Sequence, residues 1–305
     1  MTTERITPGM IAAATLNDLN SSFASMERTS EELSSGRTIL EPSDNPYGAS
    51  RVIDLQSQLD GLSAYEANTQ DGMAWENTAS SAMSSMRTVV ERVRELLVQS
   101  ANGANNQSDL SSVAVEVEQL TEGVKQDANT QYAGQYVFSG TLTTTAPYQQ
   151  GANDEYQGNA ETVSRAVGPG ASVTISTNIS TLLGNGEASG DGKLLDTLRT
   201  IAVDLRGGTA EDVAALGTSD LTKLDANIET LSQLQATAGS ATDQLQTALS
   251  RNEGLQSSIT TSLTNTQDTN VAATSVAYSD EQAAYSAALR AAATIVQESL
   301  LNFLH

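Results

Sequence analysis

The placement of proline limits this chain more than any other feature. Its five prolines are Pro8, Pro42, Pro46, Pro147 and Pro169, so residues 47–146 and 170–305 contain none. Proline inside a helix costs about 3 kcal/mol, because a backbone donor is lost and the ring collides with the preceding turn. Two tracts of this length without proline can therefore carry very long helices. No apolar run reaches the roughly 18 residues that a bilayer span needs.

Apolar spacing fills these tracts. Thr7 is placed to cap a helix that begins at Pro8, where the missing N–H is harmless. Ala12, Leu16, Leu19, Phe23, Met26 and Leu33 follow at heptad spacing. Gly36 is suited to ending that helix. Residues 37–44 read as a connector, and Ser43-Asp44-Asn45 offer caps ahead of Pro46. From there the pattern predicts a helix to about Ala101, its second half carrying Trp75, Ala79, Ala82, Met86, Val89, Val93 and Leu96. Ser108 is expected to cap a third helix ending near Gln131.

The texture changes at Ala133. Tyr136-Val137-Phe138, the alternating Val173 and Ile175, and dense glycine predict a small β-rich outer domain over residues 133–192. Helical spacing resumes at Leu194 and continues through Leu221–Leu263. It closes on Val271, Tyr278, Tyr285, Leu289, Ala292, Val296 and Phe303.

The expected fold is mainly α: a long antiparallel helical bundle or coiled coil from the N- and C-terminal segments, with a small inserted β-rich domain. The expected divisions are 1–45 (heptad helix and connector), 46–132 (helical core), 133–192 (outer domain), 193–270 (helical core) and 271–305 (C-terminal heptad helix). Each terminal stripe is too narrow to stand alone in water, so the two ends should meet. The expected contact residues are Leu16, Leu19, Phe23, Met26 and Leu33 with Tyr278, Tyr285, Leu289, Val296 and Phe303. They form either a coiled coil within one monomer or a surface that stays loose until neighbouring subunits cover it.

Charge and composition exclude several functions. Acidic residues number 37 against 15 basic ones, a net charge of −22, which argues against nucleic acid or anionic membrane as main partners. There is no cysteine, and the single histidine is His305, so thiolate chemistry and a fixed histidine base are both ruled out. The segment Gly184–Lys193 invites comparison with a phosphate loop. Glu187 stands where the first glycine should be, and Leu194 replaces the Ser or Thr that would hold magnesium; a helix-entry loop is the better reading. The acid pairs Glu31/Glu32 and Asp154/Glu155 have no calcium-loop spacing around them. Asn20, Asn106 and Asn178 match the weak glycosylation pattern. No catalytic, cofactor or metal site is expected, and the chain is not expected to be an enzyme. The start, MTTERITPGM, lacks the basic-then-apolar pattern of a cleaved secretory signal.

Leu33-Ser-Ser-Gly-Arg followed by Glu41-Pro-Ser-Asp-Asn-Pro-Tyr-Gly-Ala-Ser-Arg51 resembles the flagellin superfamily. Gly36, Pro42, Asp44 and Pro46 carry its turn-and-cap motif. The proline-bearing entry resembles the hook–filament junction branch, hook-associated protein 3, more than filament flagellins, which usually show Lys-Asp-Asp-Ala there. Gln135-Tyr-Val-Phe-Ser-Gly-Thr141, Pro147-Tyr148, Tyr156-Gln-Gly-Asn159 and Val167–Val173 resemble the branch's passage into its β domain. Ala283–Leu304 resembles the superfamily's closing helix. The resemblance implies a secreted structural subunit of the bacterial flagellum, exported by the type III apparatus with its chaperone. It would self-associate in a short zone between hook-associated protein 1 and flagellin, with terminal helices inside and the β domain outside. A filament-forming flagellin and a secreted coiled-coil adhesin are the alternatives.

Overall fold

The computed structural model describes residues 8–102, 106–151 and 154–303, with side chains described from Gly9 to Thr294. Helices dominate: α1 (Pro8–Ser35), α2 (Pro46–Ser100), α3 (Gln107–Ala128), α4 (Ser180–Leu183), α5 (Leu194–Gly207), α6 (Ala210–Ala215), α7 (Leu221–Gln267) and α8 (Val271–Phe303). A π-helical turn, Leu216–Asp220, separates α6 from α7. Two antiparallel hairpins complete the fold: β1 (Gln131–Tyr132) with β2 (Gln135–Tyr136), and β3 (Ser164–Gly168) with β4 (Ala171–Thr174). The mainly helical class with a small β-containing portion agrees with expectation. The caps differ in detail. α3 is capped by Asn106, whose side chain accepts from the amides of Ser108 and Asp109, so the expected cap at Ser108 lies inside the helix. Thr7 lies outside the described residues.

The chain forms two compact units, one from residues 1–61 with 256–305 and the other from residues 62–255. The second holds the continuous hydrophobic core. Trp75, Met83, Met86 and Val93 of α2, Val117 and Val124 of α3, Leu198, Ile201 and Leu205 of α5, and Leu231 and Leu245 of α7 are all buried in it. Residues 133–192 have no core of their own: Phe138, Tyr148, Val167, Ile175, Ile179 and Leu182 belong to this same cluster. The β3–β4 turn, Pro169-Gly170, suits a type II geometry, with proline fixing the first φ and Gly170 supplying φ +69°.

Polar groups also hold this segment down. The Asn129 amide donates to the Tyr148 carbonyl at 2.6 Å and accepts from the Tyr148 N–H at 3.1 Å. The Tyr148 hydroxyl donates to the Gly184 carbonyl at 2.6 Å. On α3, Lys125 is fully buried, yet its ammonium meets Glu122 at 2.9 Å, Asp154 at 3.2 Å and Glu187 at 2.5 Å, and donates to the Gly151 carbonyl at 2.8 Å. Burial alone would lower its pKa; hydrogen bonds to Glu187 and Glu122 outweigh burial and hold it above the ordinary lysine value.

Asp154 further accepts from the Glu187 N–H, and Asp191 accepts from the N–H groups of Asn185 and Lys193. Several amides of the Gly184–Lys193 loop are thus already taken by carboxylates. That is a helix-entry loop leading into α5, not a phosphate cradle.

Candidate assembly surface

In the first unit, α1 and α8 pack together. The half-buried or buried positions of α1 are Ala12, Thr15, Leu19, Ser22, Met26, Thr29, Glu32 and Leu33, and those of α8 among the described residues are Thr274, Tyr278, Glu281, Tyr285, Ala288 and Ala292. Apart from the adjacent Glu32 and Leu33, both series step by threes and fours, which marks the face each helix turns to the other. The ends of the pair are tied by backbone. The Thr38 N–H donates to the Gln267 carbonyl at 2.7 Å, and the Thr269 N–H donates to the Gly36 carbonyl at 2.9 Å. Arg37 and Asp268 form the antiparallel bridge between them.

The turn motif builds this junction. Gly36 has φ +70° and its N–H donates to the Glu32 carbonyl, the left-handed stop expected of it. Gly36→Ala is expected to destabilise the first unit by about 1–2 kcal/mol, because a Cβ disfavours that conformation. Gly36→Asn should cost less, and urea denaturation followed by circular dichroism would rank the two. Asp44 folds back on its own connector, accepting from the Leu40 and Glu41 amides at 3.2 and 3.0 Å and pairing with Arg28 at 3.2 Å. These contacts hold its carboxyl below the ordinary aspartate value, with the Glu41 amide foremost. The helix cap itself is Asn45, whose side chain accepts from the Gly48 N–H at 2.9 Å, with Pro46 opening α2.

The structure divides the expected contact residues. Leu19, Met26, Leu33, Tyr278 and Tyr285 are half-buried on the α1–α8 faces. Leu16, Phe23 and Leu289 are 62%, 42% and 45% exposed, so within the single subunit they stand outside the α1–α8 contact face. Phe23 still touches Tyr285 at its edge, with ring centroids 5.7 Å apart. Val296 and Phe303 fall within α8, but their side chains lie outside the described ones. The face mixes small side chains such as Ala12, Ser22 and Ala288 with large ones such as Leu19, Met26 and Tyr285, and Leu16, Phe23 and Leu289 lie to the side of it.

This leaves an unusual surface. Among the described residues of the first unit, only Ala49 and Leu55 are fully buried hydrophobics. Met10, Ile11, Leu16, Phe23, Tyr47, Ile53, Val271, Val276 and Leu289 are all exposed large ones. Exposed large apolar side chains in this number make the first unit's surface a candidate for interaction. Two residues outside the sequence-based expectation also stand out: Lys125 on α3 and Glu76 on α2 are buried ionisable side chains. Their signal was visible, since each sits on an apolar helical stripe, Lys125 beside Val124 and Glu76 beside Trp75.

Comparison with known proteins agrees with this architecture. Residues 6–143 match the bacterial flagellin N-terminal helical region. The flagellin of Bacillus subtilis (strain 168) is 29% identical over 252 residues, 79% of this chain and 80% of that protein. The flagellin of Salmonella muenchen is 35% identical over 150 residues, 49% of this chain, and the chain spans only 29% of its length. Among solved structures, the flagellar junction protein FlgL of Legionella pneumophila superposes with a TM-score of 0.58 at 14% identity, covering 71% of this chain and 99% of that one. The N-terminal part of the chain is thus similar in sequence to flagellins. Its fold is that of the solved FlgL, hook-associated protein 3, structures.

Proposed function

We propose that this chain is the adaptor at the hook–filament junction of the bacterial flagellum. It self-associates through the terminal helix pair, meets hook-associated protein 1 on one side and flagellin on the other, and leaves the cell through the type III export apparatus with its chaperone. It works by binding alone, without catalysis or cofactor. The observation that carries this reading is the first unit's surface, where, among the described residues, nine large hydrophobic side chains face solvent and two hydrophobic residues are buried. The fold likeness to FlgL and the Pro42–Pro46 turn support the junction over the filament.

A filament-forming flagellin is the second reading, favoured by the match along 79% of the chain to the Bacillus subtilis protein. Immunolabelling of intact flagella separates the two: a single band near the hook supports the adaptor, and staining along the filament supports the flagellin. Leu16→Asp with Leu289→Asp tests the surface itself. Both side chains are exposed, so the subunit should keep its helical spectrum and melting temperature. Assembly, and motility with it, should be lost, because docking would bury unpaired charge. Normal motility in this variant would exclude the stripe as an interface.

A further inference from the structure

Within residues 62–255, α2, α7 and the strand β4 with the segment that follows it enclose a surface cavity of about 590 Å³. Its floor is Glu76, Val173, Ala238 and Ala241, all buried, and its rim is exposed polar side chains, Ser172 and Gln244 among them. Glu76 is 2% exposed, and its Oε2 has no hydrogen-bond partner. Two of the nearby hydroxyls have partners elsewhere. Ser176 accepts from the Val163 N–H at 2.9 Å, and Thr237 donates to the Gln233 carbonyl at 3.0 Å. Burial raises the Glu76 carboxyl to about 8, so it is largely protonated at neutral pH.

Glu76 is the one titratable residue among those lining this cavity. On the surrounding elements, Arg165 of β3 is engaged by Asp71 at 2.7 Å and lies over the Trp75 ring at 6.0 Å. Asp243 and Arg251 of α7 line only the adjoining groove. No cation therefore stands on the cavity wall to meet the carboxylate, and the volume falls within the usual range for a small-ligand pocket, roughly 300–1,000 Å³.

We propose that this cavity is a binding site for an organic cation, an ammonium or guanidinium group that enters past the polar rim and forms an ion pair with Glu76. A buried carboxyl with an unpartnered oxygen gains from an opposite charge, which favours its ionised form, whereas a nearby anion would hold it protonated. Binding below about pH 8 releases the Glu76 proton to solvent, so affinity rises with pH. The group can arrive on a free diamine or on an arginine or lysine side chain of a neighbouring protein. The site does not depend on the junction reading, since nothing in it involves the terminal helices.

The test uses the full-length chain with ¹³C-labelled glutamate, following the Glu76 carboxyl signal by NMR. Putrescine represents the free source, N-acetylarginine amide represents the protein-borne one, and N-butylacetamide is the neutral control. At pH 7, the cations should move the Glu76 signal towards its ionised position in a saturable way, and the control should not. Apparent affinity should rise about tenfold from pH 6 to 7 and level off through pH 8. Whichever cation binds more tightly identifies the source. Glu76→Gln, checked for folding by Trp75 fluorescence, should lose saturable binding. Binding equal in Glu76→Gln, binding equal for the neutral control, or an unmoved Glu76 signal would each overturn the proposal.

Discussion

Excising Thr141–Asn185 and bridging the gap with glycine and serine is expected to unfold residues 62–255 as a whole. The excised stretch carries Tyr148, Val167, Val173, Ile175, Ile179, Leu182 and Leu183, all buried in the one core. Burying a single large apolar side chain contributes about 1.5–3 kcal/mol, and a domain's entire stability is about 5–15 kcal/mol. The loss therefore exceeds what a folded unit has to give. The excision also removes Asp154, leaving buried Lys125 without that partner. Thermal unfolding and limited proteolysis would read the outcome, and assembly should fail with the fold. A variant that melts cooperatively near the parent temperature would mean that the segment is separable after all, as its change of sequence texture suggests.

Lys125→Met is expected to have the second-largest effect, a loss of about 3–5 kcal/mol at neutral pH. Methionine fills a similar volume, so packing changes little. What changes is charge: Glu122, Asp154 and Glu187 converge on the ammonium, and without it they face one another with nothing to offset their repulsion. Acid should narrow the gap between parent and variant, since protonated carboxyls no longer repel. Adding Asp154→Asn and Glu187→Gln to the methionine variant should recover much of the loss for the same reason. In the parent the sign runs the other way with alkali. The Lys125 pKa is raised on folding, so its contribution is complete below the ordinary lysine value and is lost as pH rises through the elevated one. Urea titrations at acidic, neutral and alkaline pH would follow all three. A loss of equal size at every pH would point to packing and not to charge.

Much of the helical order was legible from sequence because two physical signals coincide. Proline is absent from α3, α5, α7 and α8, while α1 and α2 carry it only at their starts, and heptad spacing runs through the same stretches. The stop at Gly36 was legible because left-handed backbone demands little but glycine. What spacing could not rank was which of two neighbouring stripes turns inward. Heptad spacing admits Leu16, Phe23 and Leu289 together with Leu19, Met26 and Tyr285, whereas the helix contact keeps only the latter three and adds Ser22 and Ala288. The shared core of residues 133–192 was hidden for another reason. Its partners on α2 and α7 lie far along the chain, and local texture carries no record of distant pairing. Lys125 and Glu76 broke apolar stripes in plain view, but only tertiary structure shows that one has three partners and the other has none at its Oε2.

The tie between Thr38 and Gln267 joins positions 229 apart in the chain. Its consequence lies in the order of events. Residues 62–255 rest on contacts closer in sequence, whereas α1 cannot pair until α8 exists and has come within reach. A terminal helix spends that interval single and hydrated, its inward face unmatched. The α1–α8 pair is therefore expected to gain protection last when hydrogen exchange is followed during refolding.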